Sequence, residues 1–269
     1  IAAKKHGSLK TDNDLLDEVW TDRPALVHQP ADVLKDEFNG EATASKLARV
    51  REQMEKEEAQ YHIISTLDDI AWILNVRGND IPHVPVVLSF LVIGKEDAMW
   101  FVEENALSDA VKEMAAECGI TIRPYEDVYA YAATIPENST VLLDKRKVNY
   151  RITNALSETV HIVSKANPSQ LMKSIKNEIE LENTRKAHLL DGIAVTKFMY
   201  WLKKNVGKIP MDEVSVSDYL QSLREQMEGY RDISFDTIAG YNANAAMMHY
   251  KAEPDTAAKL EPQGMLLVD

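Results

Sequence analysis

The sequence predicts two consecutive units: an α/β domain with a mixed sheet, followed by the first half of an α+β domain. Short apolar runs alternate with segments of helical periodicity between residues 38 and 166, an order typical of an α/β sheet. Asn167-Pro168-Ser169 then interrupts the chain, and two amphipathic helical segments precede the next apolar runs. A length of 269 residues agrees with roughly two domains of about 150 residues each.

The first unit begins after a linker. Residues 1–37 are polar and contain two prolines, Pro24 and Pro30, as linkers do. A helix is predicted next, because Leu47, Val50 and Met54 recur at helical spacing. The pattern Thr66-x-x-Asp69 predicts a capping box that opens a short second helix.

The strands of the first unit are predicted from short apolar runs bounded by turn residues. These runs are 61–65, 86–93, 98–102, 120–123, 141–144 and 160–163. Residues 94–97 form a plausible hairpin turn, and further helices are predicted at 108–118 and 150–156. Strands that alternate with helices in this way indicate an α/β sheet.

The second unit begins with a long amphipathic helix around residues 187–201, where apolar residues recur every three or four positions. Gly207 is suited to end it. A second helix is predicted from the Ser215-x-x-Asp218 pattern to Gly229. Strands are then predicted at 234–238, 245–250 and 265–268.

The composition excludes several classes of protein. Asp and Glu outnumber Lys and Arg by 43 to 30, a net charge of −13, and so acidic a chain repels nucleic-acid backbones. The most apolar stretch, residues 84–93, is far shorter than the roughly 20 residues of a membrane helix. Cys118 is the single cysteine, which excludes an internal disulfide and favours a reducing compartment. We therefore expect a cytoplasmic protein with no nucleic-acid or membrane partner.

Two residues are candidates for chemistry, His249 and Asp269. His249 follows a run of small and apolar residues at the end of a predicted strand, just before a polar loop. Asp269 follows the apolar run Met265–Val268. Taken alone neither is specific, because a histidine in such a run is more often structural and a hard divalent cation needs several oxygen ligands.

Longer stretches of the sequence resemble the pita-bread metallopeptidases and, among them, the three-domain Xaa-Pro aminopeptidases. In chain order they are "VWTDRPAL", "EFNGEATASKLARVREQM", "LDDIAWILNVRGNDIPHVPVVLSF", "NPSQLMKSIKNEIELENTRKAHLLDGIAVTKFMYWL", "SFDTIAGYNANAAMMHYKAEP" and "LEPQGMLLVD". No single stretch is a catalytic signature, but their order is that of the family and they are distributed over nearly the whole chain, from residue 19 to residue 269.

The resemblance implies a division into three parts. Residues 1–37 correspond to the tail of an N-terminal domain and its linker. Residues 38–166 correspond to the non-catalytic middle domain of the creatinase N-terminal type, and residues 167–269 to the first half of the catalytic pita-bread domain.

The resemblance also implies a site. In that family two aspartates, a histidine and two glutamates hold two divalent ions, commonly Mn²⁺, which suits oxygen-rich ligands. Asp269 matches the first of these metal ligands, and the others would lie beyond residue 269. His249 matches a catalytic, substrate-binding histidine that stabilises charge developing at the scissile carbonyl. The expected partners are peptides with proline at the second position, and a second copy of the chain in a homodimer.

Three alternatives stay open. A prolidase or creatinase-like hydrolase has the same scaffold, although the full middle domain and the "WTDRP" linker fit the aminopeptidases better. A metal-free pita-bread module that binds peptides or proteins would lack the ligands after Asp269. The 269 residues by themselves are expected to be an inactive fragment, whose half sheet leaves strand edges and apolar helix faces to be covered.

Overall fold

A computed structural model describes residues 15–269; the first part of the predicted linker, residues 1–14, lies outside it. The helices described are α1 (Leu15–Val19), α2 (Asp36–Asn39), α3 (Thr43–Lys56), α4 (Leu67–Leu74), α5 (Asp109–Glu117), α6 (Asp127–Thr134), α7 (Tyr150–Ala155), α8 (Pro168–Ser174), α9 (Glu178–Asn205) and α10 (Glu213–Glu225). Within residues 15–269, no helix has the length and apolar character needed to cross a membrane.

The strands form one six-stranded sheet and two small hairpin-like pairs. They are β1 (Asp32–Val33), β2 (Tyr61–Ile64), β3 (Val76–Arg77), β4 (Ser89–Gly94), β5 (Ala98–Val102), β6 (Ile120–Arg123), β7 (Thr140–Leu143), β8 (His161–Ser164), β9 (Ala239–Tyr241) and β10 (Leu266–Val268). The large sheet has the order β6-β5-β4-β2-β7-β8. β2–β4 and β4–β5 are antiparallel, whereas β5–β6, β2–β7 and β7–β8 are parallel. The predicted mixed sheet is confirmed.

Residues 31–164, which carry this sheet, are called the sheet unit below. The sheet is covered on both faces because successive strand residues point to opposite sides. Ile64 lies in a core with residues of α3, α4 and α5, whereas Ile63 lies in a second core with residues of α6 and α7. β4 is buried along its whole length, as expected of a central strand with both faces covered.

The centre of the sheet also buries a histidine. His62 in β2 is fully buried, and its Nδ1 lies 2.9 Å from the Leu142 carbonyl oxygen of β7. Burial lowers the pKa of His62 to about 4, although the Leu142 carbonyl and Asp69 act in the opposite direction. The imidazole is therefore neutral at physiological pH.

The start of the sheet unit lies within the segment predicted as linker. Ala31 is buried, its N–H donates to the Ala106 carbonyl, and Leu34 donates to Asn75. β1 pairs antiparallel with β3. The domain limits 1–37, 38–166 and 167–269 stay predictions, with the packed region beginning before residue 38.

Residues 178–269 are called the C-terminal unit below. α9 and α10 pack together and against β9, in a core that includes Phe198, Leu220 and Tyr241. α9 begins at Glu178, earlier than predicted, since the side chain of Asn177 caps it in a reciprocal box with Glu180. Lys203 and Lys204 do lie in its last turn, where they complement the negative helix end.

Both capping predictions based on spacing were wrong. α10 begins two residues before Ser215, because Asp212 caps it and Ser215 is the reciprocal partner of Asp212. Thr66 precedes α4 but forms no cap with its side chain. Its hydroxyl instead donates to the carboxylate of Asp69, which also binds Asn167 and Lys173.

Two of the predicted strands are absent from the C-terminal unit. Residues 234–238 have no regular structure, and β9 begins at Ala239. Residues 245–250 form no strand because a 3-10 turn, Asn242–Ala246, precedes a bend. Asn242 adopts a left-handed conformation, which asparagine tolerates and strands exclude. The third predicted strand is confirmed as β10.

Candidate functional site

Asp269 extends the hairpin formed by β9 and β10. The two strands are antiparallel, with Val268 opposite Ala239. One step further, Asp269 and Ile238 exchange two backbone hydrogen bonds, each 2.9 Å long. The strand ladder thus fixes the backbone of Asp269, while its side chain is exposed.

The hairpin borders an open groove of about 610 Å³. Leu202 and Val206 line it together with Leu266, Val268 and Asp269. Apolar residues dominate the groove, and Glu261 and Asp269 add carboxylates.

His249 lies outside the strands, in the bend after the 3-10 turn. It adopts a left-handed conformation with φ 53°, and its side chain is exposed. No hydrogen bond joins its imidazole to another residue of the described chain. The structure records no contact between His249 and Asp269, so their joint use in one site stays a prediction.

The residue after His249 is anchored by a buried carboxylate. Glu213, in the first turn of α10, is 0% exposed. The Tyr250 hydroxyl donates to it at 2.7 Å, and the backbone N–H groups of Tyr241 and Ala258 donate at 2.6 and 2.8 Å. The Asn244 amide donates to both carboxylate oxygens, at 3.0 and 3.1 Å. Glu213 therefore ties β9, the 3-10 turn and the segment after His249 to one helix.

These hydrogen bonds shift the pKa of both partners. Burial by itself would raise the pKa of Glu213, but donation from Tyr241, Tyr250 and Ala258 outweighs it, so the pKa lies below its ordinary value. The hydrogen bond to Glu213 raises the pKa of Tyr250 to about 12, because a phenolate there would face a carboxylate. At neutral pH the pair is a carboxylate and a neutral phenol.

Sequence reasoning missed Glu213. A glutamate in the first turn of a helix is common, because it complements the positive helix end. Nothing in the spacing of the sequence distinguishes a buried acceptor from such a surface residue. A tyrosine in a partly buried position needs a polar partner for its hydroxyl, but the sequence around Tyr250 does not show which residue provides it.

The described residues do not by themselves hold a pair of metal ions. Asp269 offers a carboxylate, a suitable ligand for a hard divalent cation. Across residues 15–269, however, no three His, Cys, Asp or Glu side chains are grouped closely enough to bind a metal. The donor set present in this chain therefore does not fit a dinuclear centre without further ligands.

The chain matches two families in succession. Residues 22–180 match the Creatinase/Prolidase N-terminal domain, and residues 182–269 match metallopeptidase family M24. The junction between the matches falls at the start of α9.

Curated relatives match this chain over nearly its whole length. A Neurospora crassa protein described as a probable Xaa-Pro aminopeptidase P is 35% identical over 99% of this chain and 41% of its own length. The Xaa-Pro aminopeptidase 1 of Dictyostelium discoideum is 33% identical over 100% of this chain and 44% of its own length. The chain spans less than half the length of these relatives.

Solved structures similar to this chain include proteins of the same kind as its sequence relatives. The X-prolyl aminopeptidase of Caenorhabditis elegans, described as a cytosolic enzyme with a di-nuclear active site, superposes with a TM-score of 0.90 at 28% identity. It covers 98% of this chain, which corresponds to 44% of that structure. An X-Pro aminopeptidase from Thermotoga maritima, at 18% identity and a TM-score of 0.60, shares the fold. By the match over residues 22–180, more than half of its length, the chain belongs to the creatinase/prolidase family, and it continues into a segment of metallopeptidase family M24.

Proposed function

We propose that the polypeptide to which this chain belongs is an Xaa-Pro aminopeptidase, which hydrolyses the bond between an N-terminal residue and a following proline. The observation that carries the proposal is the match over both units to proteins described as Xaa-Pro aminopeptidases. The shared fold alone would not carry it, since prolidases have the same fold.

His249 is proposed to bind the substrate and act in catalysis. It is exposed on a segment that Glu213 anchors through Tyr250. An imidazole N–H there can donate a hydrogen bond to the scissile carbonyl. That bond strengthens as negative charge develops on the oxygen, so it accelerates the reaction rather than only tightening binding.

Asp269 is proposed as one ligand of a site for two divalent ions, with Mn²⁺ the preferred metal. Its backbone is fixed by the β9–β10 ladder, and its carboxylate is the kind of donor that Mn²⁺ prefers. Two such ions would supply a metal-activated water. Residues 15–269 contain no group of three His, Cys, Asp or Glu side chains that could bind a metal, so the site needs further ligands.

The proposed setting is cytoplasmic and homodimeric. The C. elegans relative described as cytosolic supports the compartment, as does the single, half-buried Cys118. Exposed apolar residues on the C-terminal unit, among them Leu189, Met199 and Tyr200, offer surface for a second copy. Light scattering of the full-length polypeptide tests the dimer.

The test of activity uses the full-length polypeptide with Mn²⁺. A tripeptide Xaa-Pro-Xaa is expected to be cleaved after its first residue, and the matched peptide with alanine in place of proline much more slowly. His249→Ala is expected to lower kcat/KM by about 100-fold, the loss typical of a donor to a developing oxyanion. Cleavage of the dipeptide Xaa-Pro in preference to the tripeptide would favour a prolidase, and absence of cleavage of both would favour a binding module.

A further inference from the structure

A charged bridge joins the sheet unit to the segment that carries His249. The bridge consists of His83, Asp232, Asp236 and Lys251. His83 Nδ1 lies 3.3 Å from a carboxylate oxygen of Asp232, and His83 Nε2 lies 3.4 Å from one oxygen of Asp236. Lys251 Nζ donates to the other oxygen of Asp236 at 2.9 Å. Asp236 therefore links a residue of the sheet unit to a residue two positions after His249.

The sheet unit presents His83 on a tight turn. Val84 N–H donates to the Ile81 carbonyl at 3.1 Å, with Pro82 and His83 at the two central positions. His83 has φ 63°, a conformation that the second central residue of such a turn usually reaches with glycine or asparagine. A left-handed backbone is uncommon for a residue with a side chain, and such conformations are often found at functional positions.

The base of this turn is fixed to the rest of the sheet unit. The carboxylate of Asp80 accepts hydrogen bonds from the N–H groups of Gln29 and Leu88, at 2.6 and 2.7 Å. Its side chain is fully buried. The turn is thus a defined projection of the sheet unit, and His83 reaches the C-terminal unit from a fixed position.

The segment around His249 has two anchors on different elements. Tyr250 is held from the inside by Glu213 of α10, and Lys251 is held from the outside by Asp236. Asp236 is in turn paired with His83, and Lys251 and His83 both lower the pKa of Asp236, with Lys251 the larger cause. The inner anchor belongs to the C-terminal unit, whereas the outer anchor extends to the sheet unit.

We propose that His83 is a positioning residue for His249. It holds Asp236, Asp236 holds Lys251, and the sheet unit thereby sets the orientation of the segment that presents the candidate substrate-binding histidine. The catalytic meaning of this bridge rests on the proposed function, whereas the bridge itself can be tested without activity.

The size of the expected effect follows from exposure. The His83 side chain is 28% exposed and the two aspartates about half exposed, so each pair is weak and screened by salt. The pairs of Asp236 with His83 and with Lys251 form a network. When this network is broken, we expect kcat/KM for an Xaa-Pro peptide to fall by about two- to tenfold. The loss should shrink at high ionic strength.

The experiment compares His83→Gly with Asp236→Asn in the full-length polypeptide. Glycine removes the imidazole while it keeps the left-handed turn. Asp236→Asn removes the negative charge that pairs with both His83 and Lys251. Both variants should lower kcat/KM to a similar extent, and the double variant should add little to either. Glu58→Gly is the matched control, because Glu58 is also exposed and left-handed (φ 53°) but lies at the end of α3.

Hydrogen exchange provides the second readout. In both variants, peptides covering residues 245–256 should exchange about two- to tenfold faster, while peptides of α10 keep their wild-type rate and show that the unit is folded. Wild-type exchange at 245–256 in both variants, or fully additive losses in the double variant, would overturn the bridge. A wild-type polypeptide without Xaa-Pro hydrolysis but with faster exchange in the variants would overturn the proposed function and leave the bridge standing.

Discussion

The hydroxyl of Tyr250 donates to the buried carboxylate of Glu213 at 2.7 Å, and this pair fixes the chain immediately after His249. Glu213 lies on α10, whereas Tyr250 follows the bend at the end of the 3-10 turn. A single buried acceptor thereby organises the part of the C-terminal unit where substrate is proposed to bind.

Replacement of Glu213 by glutamine should lower the free energy of unfolding by about 2 to 4 kcal/mol. The two side chains have the same shape. In the wild type, N–H and O–H donors bind both carboxylate oxygens, whereas in the variant some of these donors would face the amide NH2, which cannot accept a hydrogen bond. Urea denaturation of the 269-residue chain measures the change. Glu182→Gln, on the exposed surface of α9, is the control and should change stability by under about 0.5 kcal/mol; equal effects of the two variants would contradict the buried role.

The same pair predicts a loss of stability in alkali. The folded pKa of Tyr250, about 12, lies above its ordinary value of 10. The contribution of the pair is therefore complete below pH 10 and is lost as the pH rises from 10 towards 12, because the unfolded chain releases the phenolic proton first. Unfolding free energies measured across this range should show a steeper fall for the wild type than for Tyr250→Phe. Parallel curves for the two proteins would rule the coupling out.

Because His62 is buried as a neutral imidazole, we expect the unfolding free energy to decrease in mild acid. The pKa of His62 is about 4 in the folded sheet, below its ordinary value of 6.5. Below pH 6.5 the unfolded chain binds a proton that the folded chain excludes, so stability is present above 6.5 and declines towards pH 4. Between pH 7 and pH 5 the wild type should lose on the order of 2 kcal/mol more than His62→Gln. A pH dependence that glutamine leaves unchanged would assign the acid sensitivity to other groups.

We expect the ion pair between Lys173 and Asp69 to hold α8 to the sheet unit. Lys173 binds Asp69 at 2.7 Å, and the Asp69 side chain is only 4% exposed, so Lys173→Met leaves a buried carboxylate with Thr66 and Asn167 as its partners. We expect a loss of about 1 to 3 kcal/mol in unfolding free energy. Lys165→Met breaks the more exposed pair with Glu57 and should cost under about 1 kcal/mol. The reverse order of the two losses would contradict the buried role of Asp69.

The affinity for Mn²⁺ should differ between the 269-residue chain and the full-length polypeptide. With one carboxylate at Asp269 and no group of three or more His, Cys, Asp or Glu side chains able to bind a metal in the described chain, the chain should bind Mn²⁺ with a dissociation constant on the order of 1 mM or weaker. Calorimetric titration measures this, with Asp269→Asn as the matched variant. Tight binding of two ions that Asp269→Asn abolishes would show that this chain already holds a complete centre.

The regular elements of the sheet unit could be predicted because local pattern and burial agree there. The apolar runs at 98–102 and 120–123 became β5 and β6 with the same bounds. Polar residues in the core could not be predicted in this way. Lys46 is 1% exposed, and its Nζ donates to the Trp72 carbonyl and to Asn75, partners that lie 26 and 29 residues along the chain.

The geometry of the candidate site could not be predicted from the sequence. The quoted stretches led to His249 and Asp269, whose roles stay predictions. The segment 245–250 was predicted as a strand from its apolar residues, but the Asn244 side chain binds Glu213 and Tyr250 and holds a 3-10 turn instead. Such contacts between distant residues decide the backbone conformation here over the local apolar pattern.

The position of β2 in the sheet has a consequence for biosynthesis. On one edge β2 pairs with β4, which follows soon after it, but on the other it pairs with β7, with Tyr61 opposite Val141 and a separation of 80 residues between His62 and Leu142. A chain emerging from the ribosome therefore leaves the backbone N–H and C=O groups on one edge of β2 unpaired until residue 143 has emerged. Closing so long a loop is slow, and the unpaired edge is open to aggregation in the interval.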